Sequence, residues 1–453
     1  MDIEQGNNDK IALSEKCSWF SRCFAKIKST TIGFLEKIKK IAMDDPRRIA
    51  HAIKVGLTLT LVSTLYYVTP LYDGFGESSM WAVLTVVVVM EYTAGGTLCK
   101  GLNRVFATVI AGSLGVGAHH IASLCGQKGE AILLGLFVFL LAASATFSRF
   151  IPEVKAKYDY GVTIFILTFS LVAVSSYRVD ELIQMAHQRI STIAIGVATC
   201  LCVSLVVFPV WAGEDLHKMV ASNLDKLANF LEGIETECFG EKSNFESLEG
   251  KPFLQVHKSV LNSKAMEDTL CNFAKWEPCH GDFSFRHPWK QYQKIGGLIR
   301  QCAASMDALS SYLTTFSKTK PIFKADAELL LEIETACREM SSESAKALRE
   351  LSSAIRSMTV PSLAKCHVSA ATSAAENLRT ALSNDITVWE TIHVAMISSL
   401  LAELVNCTKE IAGSVDELAE LALFKSTDSV NSAVVKPVSD EEMPQQVTID
   451  ISG

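Results

Sequence analysis

Residues 80–104 read MWAVLTVVVVMEYTAGGTLCKGLNR. The run from Met80 to Met90 is apolar apart from Thr85. Glu91 follows, then the small residues Ala94, Gly95 and Gly96, then two cations, Lys100 and Arg104, at the edge of another apolar run. Working outward, five comparable runs join this one between Ile49 and Trp211. The six spans are about Ile49–Thr69, Met80–Tyr92, Leu102–Ala118, Ala131–Phe147, Tyr160–Val174 and Ile190–Val210. A helix crosses a bilayer core in roughly 20 residues, so runs of this length are predicted to be membrane helices. Pro70 closes the first, and Pro209 and Trp211 end the last. The third is rich in Ala107, Ala111, Gly112, Gly115 and Gly117, small residues that let helices approach closely in lipid.

Before the first span, residues 1–48 are polar and then basic. Lys26, Lys28, Lys37, Lys39, Lys40, Arg47 and Arg48 stand against Glu36, Asp44 and Asp45, with Ile27, Ile32, Phe34, Leu35, Ile38 and Ile41 between them. That is an amphipathic helical pattern suited to membrane lipid at an anionic cytosolic leaflet, or else a solvated basic tail. About forty polar residues ahead of the first apolar run do not fit a cleaved signal, so the first span is expected to stay as an anchor.

From Gly213 onward no further span is found. Leu216, Leu224, Leu227 and Leu231 recur at helical spacing, as do Leu329, Leu330, Ile333 and Ala336, and later Leu348, Leu351 and Ile355. Pro252, Pro278, Pro288, Pro321 and Pro361 divide the half into several helices. The fold expected is an all-α membrane protein. A segment 1–48 precedes a six-helix transmembrane domain over 49–211, a cytosolic helical domain over 212–425 and a disordered tail over 426–453. With the N-terminus inside, the inner connections carry Lys100, Arg104, Arg149, Lys155 and Lys157, and the outer ones carry Lys128 and Arg178, as the positive-inside rule requires. Both termini are then cytosolic, and Asp73, Glu77, Asp180 and Glu181 face outward.

The composition narrows the chemistry. A net charge of -7 argues against a nucleic-acid partner. The 13 cysteines are scattered without a Cys-x-x-Cys pair, which gives neither a zinc site nor a disulfide framework. There is no nucleophile elbow, phosphate-binding glycine loop or His-Glu-x-x-His, so no enzyme is expected. His280, Asp282 and His287 allow a hydrolase reading, but an aromatic-rich connection between helices explains them equally well. His119-His120 is read as a wet loop rather than a metal site.

The basic residues are more informative. An ionised group inside a span costs at least ~2.5–3.5 kcal/mol, so it faces water or a partner. Lys100, Arg104 and Arg189 either line an anion path or snorkel to headgroups; Lys54 is read as snorkelling. The outer acids offer oxygen ligands to a hard cation, or are simply solvated.

Several blocks resemble the plant aluminium-activated malate transporter family. They are Asp45-Pro46-Arg47-Arg48, His51 to Leu57, Trp81 to Val89, Cys99 to Arg104, Tyr158 to Val162, Ser175 to Asp180, Phe208 to His217 and Trp276 to Trp289, spanning about Asp44 to Leu309. The resemblance implies a homodimeric channel passing malate and other anions. Residues matching Lys100, Arg104 and Arg189 would line or gate its pore. It implies no cofactor, with external Al³⁺ as an activator at outer acids. Asp73 and Asp180 match two of these; the third falls at Gln184, a departure, with Glu181 and Glu77 nearby. A modulator segment around Phe208 is a further implication. The plasma membrane is the expected location, with the vacuolar membrane as the alternative. Two other functions stay open: a proton-coupled carrier of organic or aromatic acids, which needs a titratable pair in mid-span, and a membrane-tethered enzyme or scaffold.

Overall fold

A computed structural model of the chain describes residues 26, 28–68, 80–175, 179–239, 250–284, 286–319, 327–384 and 392–426. Among them regular structure is helical, with two isolated bridges, His280–Phe283 and Thr359–Lys425, and no strand. The chain divides into two compact units at Trp211/Ala212.

In the first unit, residues 28–44 form α1. There follow α2 (Arg47–Tyr67), α3 (Met80–Val89), α4 (Ala94–Ser123), α5 (Gly126–Ser148), α6 (Pro152–Ser175) and α7 (Val179–Val206). Each predicted span coincides with one of α2 to α7. Among the described residues four helices, α4 to α7, hold stretches long and apolar enough to cross a membrane. α3 is equally apolar but has ten residues, ~15 Å at 1.5 Å each. The surface of this unit is apolar where a soluble protein would be polar. Ile132, Phe139 and Phe147 on α5, Val87 on α3, Phe106 on α4 and Val206 on α7 are all exposed. An uncovered apolar surface of this extent calls for lipid.

The boundaries move for physical reasons. α4 begins at Ala94 because Thr93 caps it, its hydroxyl accepting from Gly96 N at 3.2 Å. Lys100 and Arg104 therefore lie inside a helix, not in a connection. α7 begins at Val179, so Arg189 sits ten residues into a helix rather than at its start. The stretch 179–188 is polar, but Glu, Leu, Gln and Ala are good helix formers, and hydropathy is blind to that. His119 and His120 likewise belong to α4 rather than to a loop, and His119 is buried beside Glu130 at 3.3 Å.

α4 is the hub of this unit, packing on α5, α6 and α7, while α2 and α3 pack on α7. Gly115 sets the closest approach. A Cβ there would stand 2.6 Å from Val172 Cγ1 and 2.9 Å from Val172 Cβ. Gly112 and Gly117 meet nothing within 4 Å, so they are not part of that contact.

The second unit opens with α8 (Ala212–Cys238). After a 3₁₀ turn at Pro252–Gln255 come α9 (Val256–Leu261), α10 (Lys264–Ala274), α11 (Trp289–Thr319), α12 (Ala327–Ser357), α13 (Ala364–Asn384) and α14 (Ile392–Leu421). α8 packs on α12, and α11 on α14. The leucine stripe of α8, the Leu348–Leu351–Ile355 stripe of α12 and Ile333 are buried. Leu329 and Leu330 lie where side chains are not described, and the tail after Ser426 lies outside the described residues.

Gly115→Val is expected to destabilise the first unit by ~1–3 kcal/mol through overpacking against Val172. Gly117→Val should cost much less. Thermal unfolding of the full chain in detergent compares them, and Val172→Ala should restore part of the loss in the first variant only.

Candidate functional site

The site is built where α3 runs into α4. Thr97 Oγ1 donates to Glu91 O and accepts from Glu91 N at 3.0 Å, which fixes the Glu91 backbone. The Glu91 carboxylate forms an ion pair with Lys100. One helical turn further, ~6 Å along the axis, Arg104 is 3% exposed. Its Nη1 donates to Tyr160 Oη of α6 at 3.2 Å, and its Nε has no partner. Lys100 Nζ lies 5.8 Å from the centroid of the same Tyr160 ring. Asn103 Nδ2 donates to Lys157 O at 3.0 Å, which holds α6 against α4 at this level.

Arg189 is placed elsewhere. Its guanidinium carbon lies 4.8 Å from the Trp81 ring centroid, a cation–π contact between α7 and the first turn of α3. The two cation levels are therefore separated by the length of α3, ~15 Å. Lys100 and Arg104 converge on Tyr160; Arg189 does not join them.

The charge balance is uneven. Asp45 takes hydrogen bonds from Tyr92 Oη at 3.0 Å and from Arg47, Glu91 pairs with Lys100, Glu130 faces His119, and Asp159 accepts both arms of Arg149 at 2.7 and 3.0 Å. Among the described residues, Lys54, Arg104 and Arg189 have no carboxylate. Lys54 is 1% exposed, on the packed face of α2 with Thr58 and Val62. It therefore does not snorkel; the outward face of the helix is Ile49, Ile53, Leu57 and Leu61. Hydropathy hid this, and the i, i+4, i+8 spacing of Lys54 with the buried Thr58 and Val62 was the available signal.

Asp73 and Glu77 lie outside the described residues, as do the side chains of Asp180, Glu181 and Gln184. Among the described residues no three His, Cys, Asp or Glu side chains gather as metal ligands. Phe208 is exposed and holds a left-handed backbone, φ 43°, a conformation that a bulky residue adopts only under constraint.

The Trp276–Trp289 stretch belongs to the core of the second unit. The Glu277 carboxylate accepts from Ala212 N at 2.6 Å and Gly213 N at 2.9 Å, capping α8. A Cβ on Gly213 would collide with the Trp289 ring. Tyr292 Oη lies between His217 Nδ1 at 2.9 Å and His287 Nε2 at 3.3 Å, and Phe283 meets both histidines edge-on. His280 Nδ1 donates to Pro278 O at 2.8 Å, and Asp282 faces Lys425 at 3.7 Å. Here the histidines pack among the aromatic rings of the second unit's core. Burial holds His217 below its ordinary value. Burial, reinforced by neighbouring His217 and His280, pushes His287 down to about 4.

These features define a polytopic all-α membrane protein whose apolar half holds cations that, among the described residues, pair with no carboxylate. The family model described as aluminium activated malate transporter matches residues 39–389. The chain is 54% identical over 459 residues to "Aluminum-activated malate transporter 1" of Triticum aestivum, covering 99% of this chain and 100% of that protein. It is 49% identical over 395 residues to "Aluminum-activated malate transporter 2" of Arabidopsis thaliana, covering 86% and 78%. To "Aluminum-activated malate transporter 7" of the same plant it is 45% identical over 422 residues, covering 86% and 82%. The chain belongs to the aluminium-activated malate transporter family, which consists of transporters and not enzymes.

The buried imidazoles give a pH dependence. His217 and His287 take up protons more readily unfolded, near 6.5, than folded, so the unfolded state binds more protons as pH falls. The second unit should lose stability from about pH 6.5 down toward 4, and be insensitive above 7. Hydrogen exchange of α8 and α11 in the full chain reads this, and His287→Gln should flatten the slope.

Proposed function

We propose that this chain forms a channel that passes malate out of plant cells down its electrochemical gradient. The carrying observation is positive charge inside the apolar unit: Lys54 and Arg104 are buried and Arg189 half-buried, and among the described residues none of them pairs with a carboxylate, while Glu91 and Asp159 pair with Lys100 and Arg149. Cations desolvated in this way attract anions and exclude cations from a water-filled path. Malate as the permeant is supported by the names of the three relatives described above. An inside-negative potential drives a dianion outward, each charge gaining ~2.3 kcal/mol per 100 mV.

In this reading α2 to α7 all cross the plasma membrane with both termini cytosolic, and two copies assemble. Arg104 and Arg189 line the pore at two levels, and Lys100 adjoins Arg104 in a neutralised pair. External Al³⁺ opens the channel at Asp73, Asp180 and Glu181, and the Phe208 segment is a site of modulation. A proton-coupled carrier is less well supported. It needs an acid free to titrate in mid-span, and Glu91 and Asp159 are each held by a cation.

Voltage clamp of cells loaded with malate, before and after external Al³⁺, tests this. The wild type should carry outward malate flux that Al³⁺ increases. Arg104→Ala and Arg189→Ala should each cut it ~10-fold, a loss of ~1.4 kcal/mol, with unchanged protein at the surface. Wild-type protein at the surface without any anion current would sink the channel.

A further inference from the structure

We propose that the acidic segment that follows α14, residues 427–442, docks into a cleft beside the Trp276–Trp289 stretch of the same chain. The cleft lies within the second unit and encloses about 580 Å³. Three exposed cations line it, Lys275, Arg286 and Lys290, together with Phe283, Trp289 and Leu421. Glu277, the acid of the lining, is committed to the start of α8, accepting from Ala212 N and Gly213 N. Arg286 holds a left-handed backbone, φ 64°, a conformation that a side chain of this size keeps where its surroundings fix it.

The chain is delivered to this cleft by α14. Leu421, its last residue, belongs to the lining and is 57% exposed, and Leu423 just beyond is 87% exposed. The exit is pinned. Lys425 N donates to Met358 O at 2.9 Å, Val360 N donates to Lys425 O at 3.1 Å, and Lys425 Nζ lies 3.7 Å from Asp282, between Glu277 and Phe283 of the lining. From there the sequence runs Thr427-Asp428-Ser429-Val430, then Ala433-Val434-Val435, then Asp440-Glu441-Glu442. Over 427–442 these four acids stand against Lys436 alone.

The segment and the cleft are complementary. Acids meet the three cations, and valines meet the apolar lining. The chain from Lys425 to Asp440 spans up to ~50 Å when extended, ample for a cleft at its root. Exposed ion pairs are individually weak. A short tether presents the segment at an effective concentration on the order of mM, so contacts too weak to join separate molecules suffice. A small anion would answer the cations but leave Leu421 and Leu423 in water; this segment answers both.

Carbodiimide cross-linking of the purified full chain in nanodiscs, read by mass spectrometry, tests the docking, since it joins amines to carboxylates in direct contact. Links from Lys275 or Lys290 to Asp428, Asp440, Glu441 or Glu442 are expected. The Lys294–Glu417 pair, 2.5 Å apart, is the internal control. A control link with no link to the segment would overturn the proposal. In a mixture of isotope-labelled and unlabelled chains the links should stay within one isotope. Links found only between labelled and unlabelled chains would overturn the same-chain assignment in favour of a second copy. Hydrogen exchange gives a reading without covalent chemistry. Ending the chain at Ser426 should speed exchange at His280 and Phe283 about tenfold, and unchanged rates would overturn the docking. If the shortened chain does not fold, the full chain carrying Asp440→Asn, Glu441→Gln and Glu442→Gln decides by the same reading, with about threefold faster exchange expected and no change counting against it.

Discussion

An ionised side chain sealed in an apolar unit must be matched by an opposite charge, and among the described residues Lys54, Arg104 and Arg189 pair with none. Lys54 and Arg104 are almost wholly buried, Arg189 lies partly buried against an indole ring, and none meets a carboxylate. Among the described residues, Glu91 pairs instead with Lys100 and Asp159 with Arg149. A core evolved for stability alone replaces such groups with apolar residues of similar volume at little or no loss. In the channel proposed above, their presence reflects the anion that passes beside them.

The helices are arranged to keep those cations in place. α4 carries two of the basic residues and touches α5, α6 and α7, which its small face permits at Gly115. Tyr160 then fixes both Lys100 and Arg104, one by its ring and one by its hydroxyl. The aromatic partner of Arg189 is Trp81, which anchors the opposite end of α3. Hydroxyl and indole partners stabilise a cation without cancelling its charge, whereas a carboxylate would cancel it.

Much of this was legible in the sequence, because apolar run length and helical period are local properties. All six runs became helices, and the leucine stripes of α8 and α12 are buried as their spacing predicts. Boundaries were less legible. Hydropathy placed the starts of α4 and α7 about eight and eleven residues late, since a capping threonine and the helix-forming stretch 179–188 carry no apolar signal. The role of Lys54 was misread because composition says only that a lysine sits among apolar residues. Which side of α2 is packed depends on partners about 30 and 140 residues away, in α3 and α7. Pairing failed for the same reason: nothing local in EYTAGGTLCK tells that Glu91 will neutralise Lys100 while leaving Arg104 free of acid.

In the proposed channel, fast passage of a dianion requires that each stop be favourable enough to enter and weak enough to leave. The partners of the two arginines are consistent with both demands. Arg104 has one Nη committed to Tyr160, so it cannot offer its full fork to a carboxylate, and a complete bidentate clamp would hold malate too long. Arg189 spends one face of its guanidinium on Trp81. Lys100 is the exception, since its charge is cancelled by Glu91 as long as that pair stays closed. Opening it would add a full positive charge one turn from Arg104 and expose a carboxylate beside it. The field at that level thus depends on a single ion pair, whereas the fields at Lys54 and Arg189 depend only on helix packing.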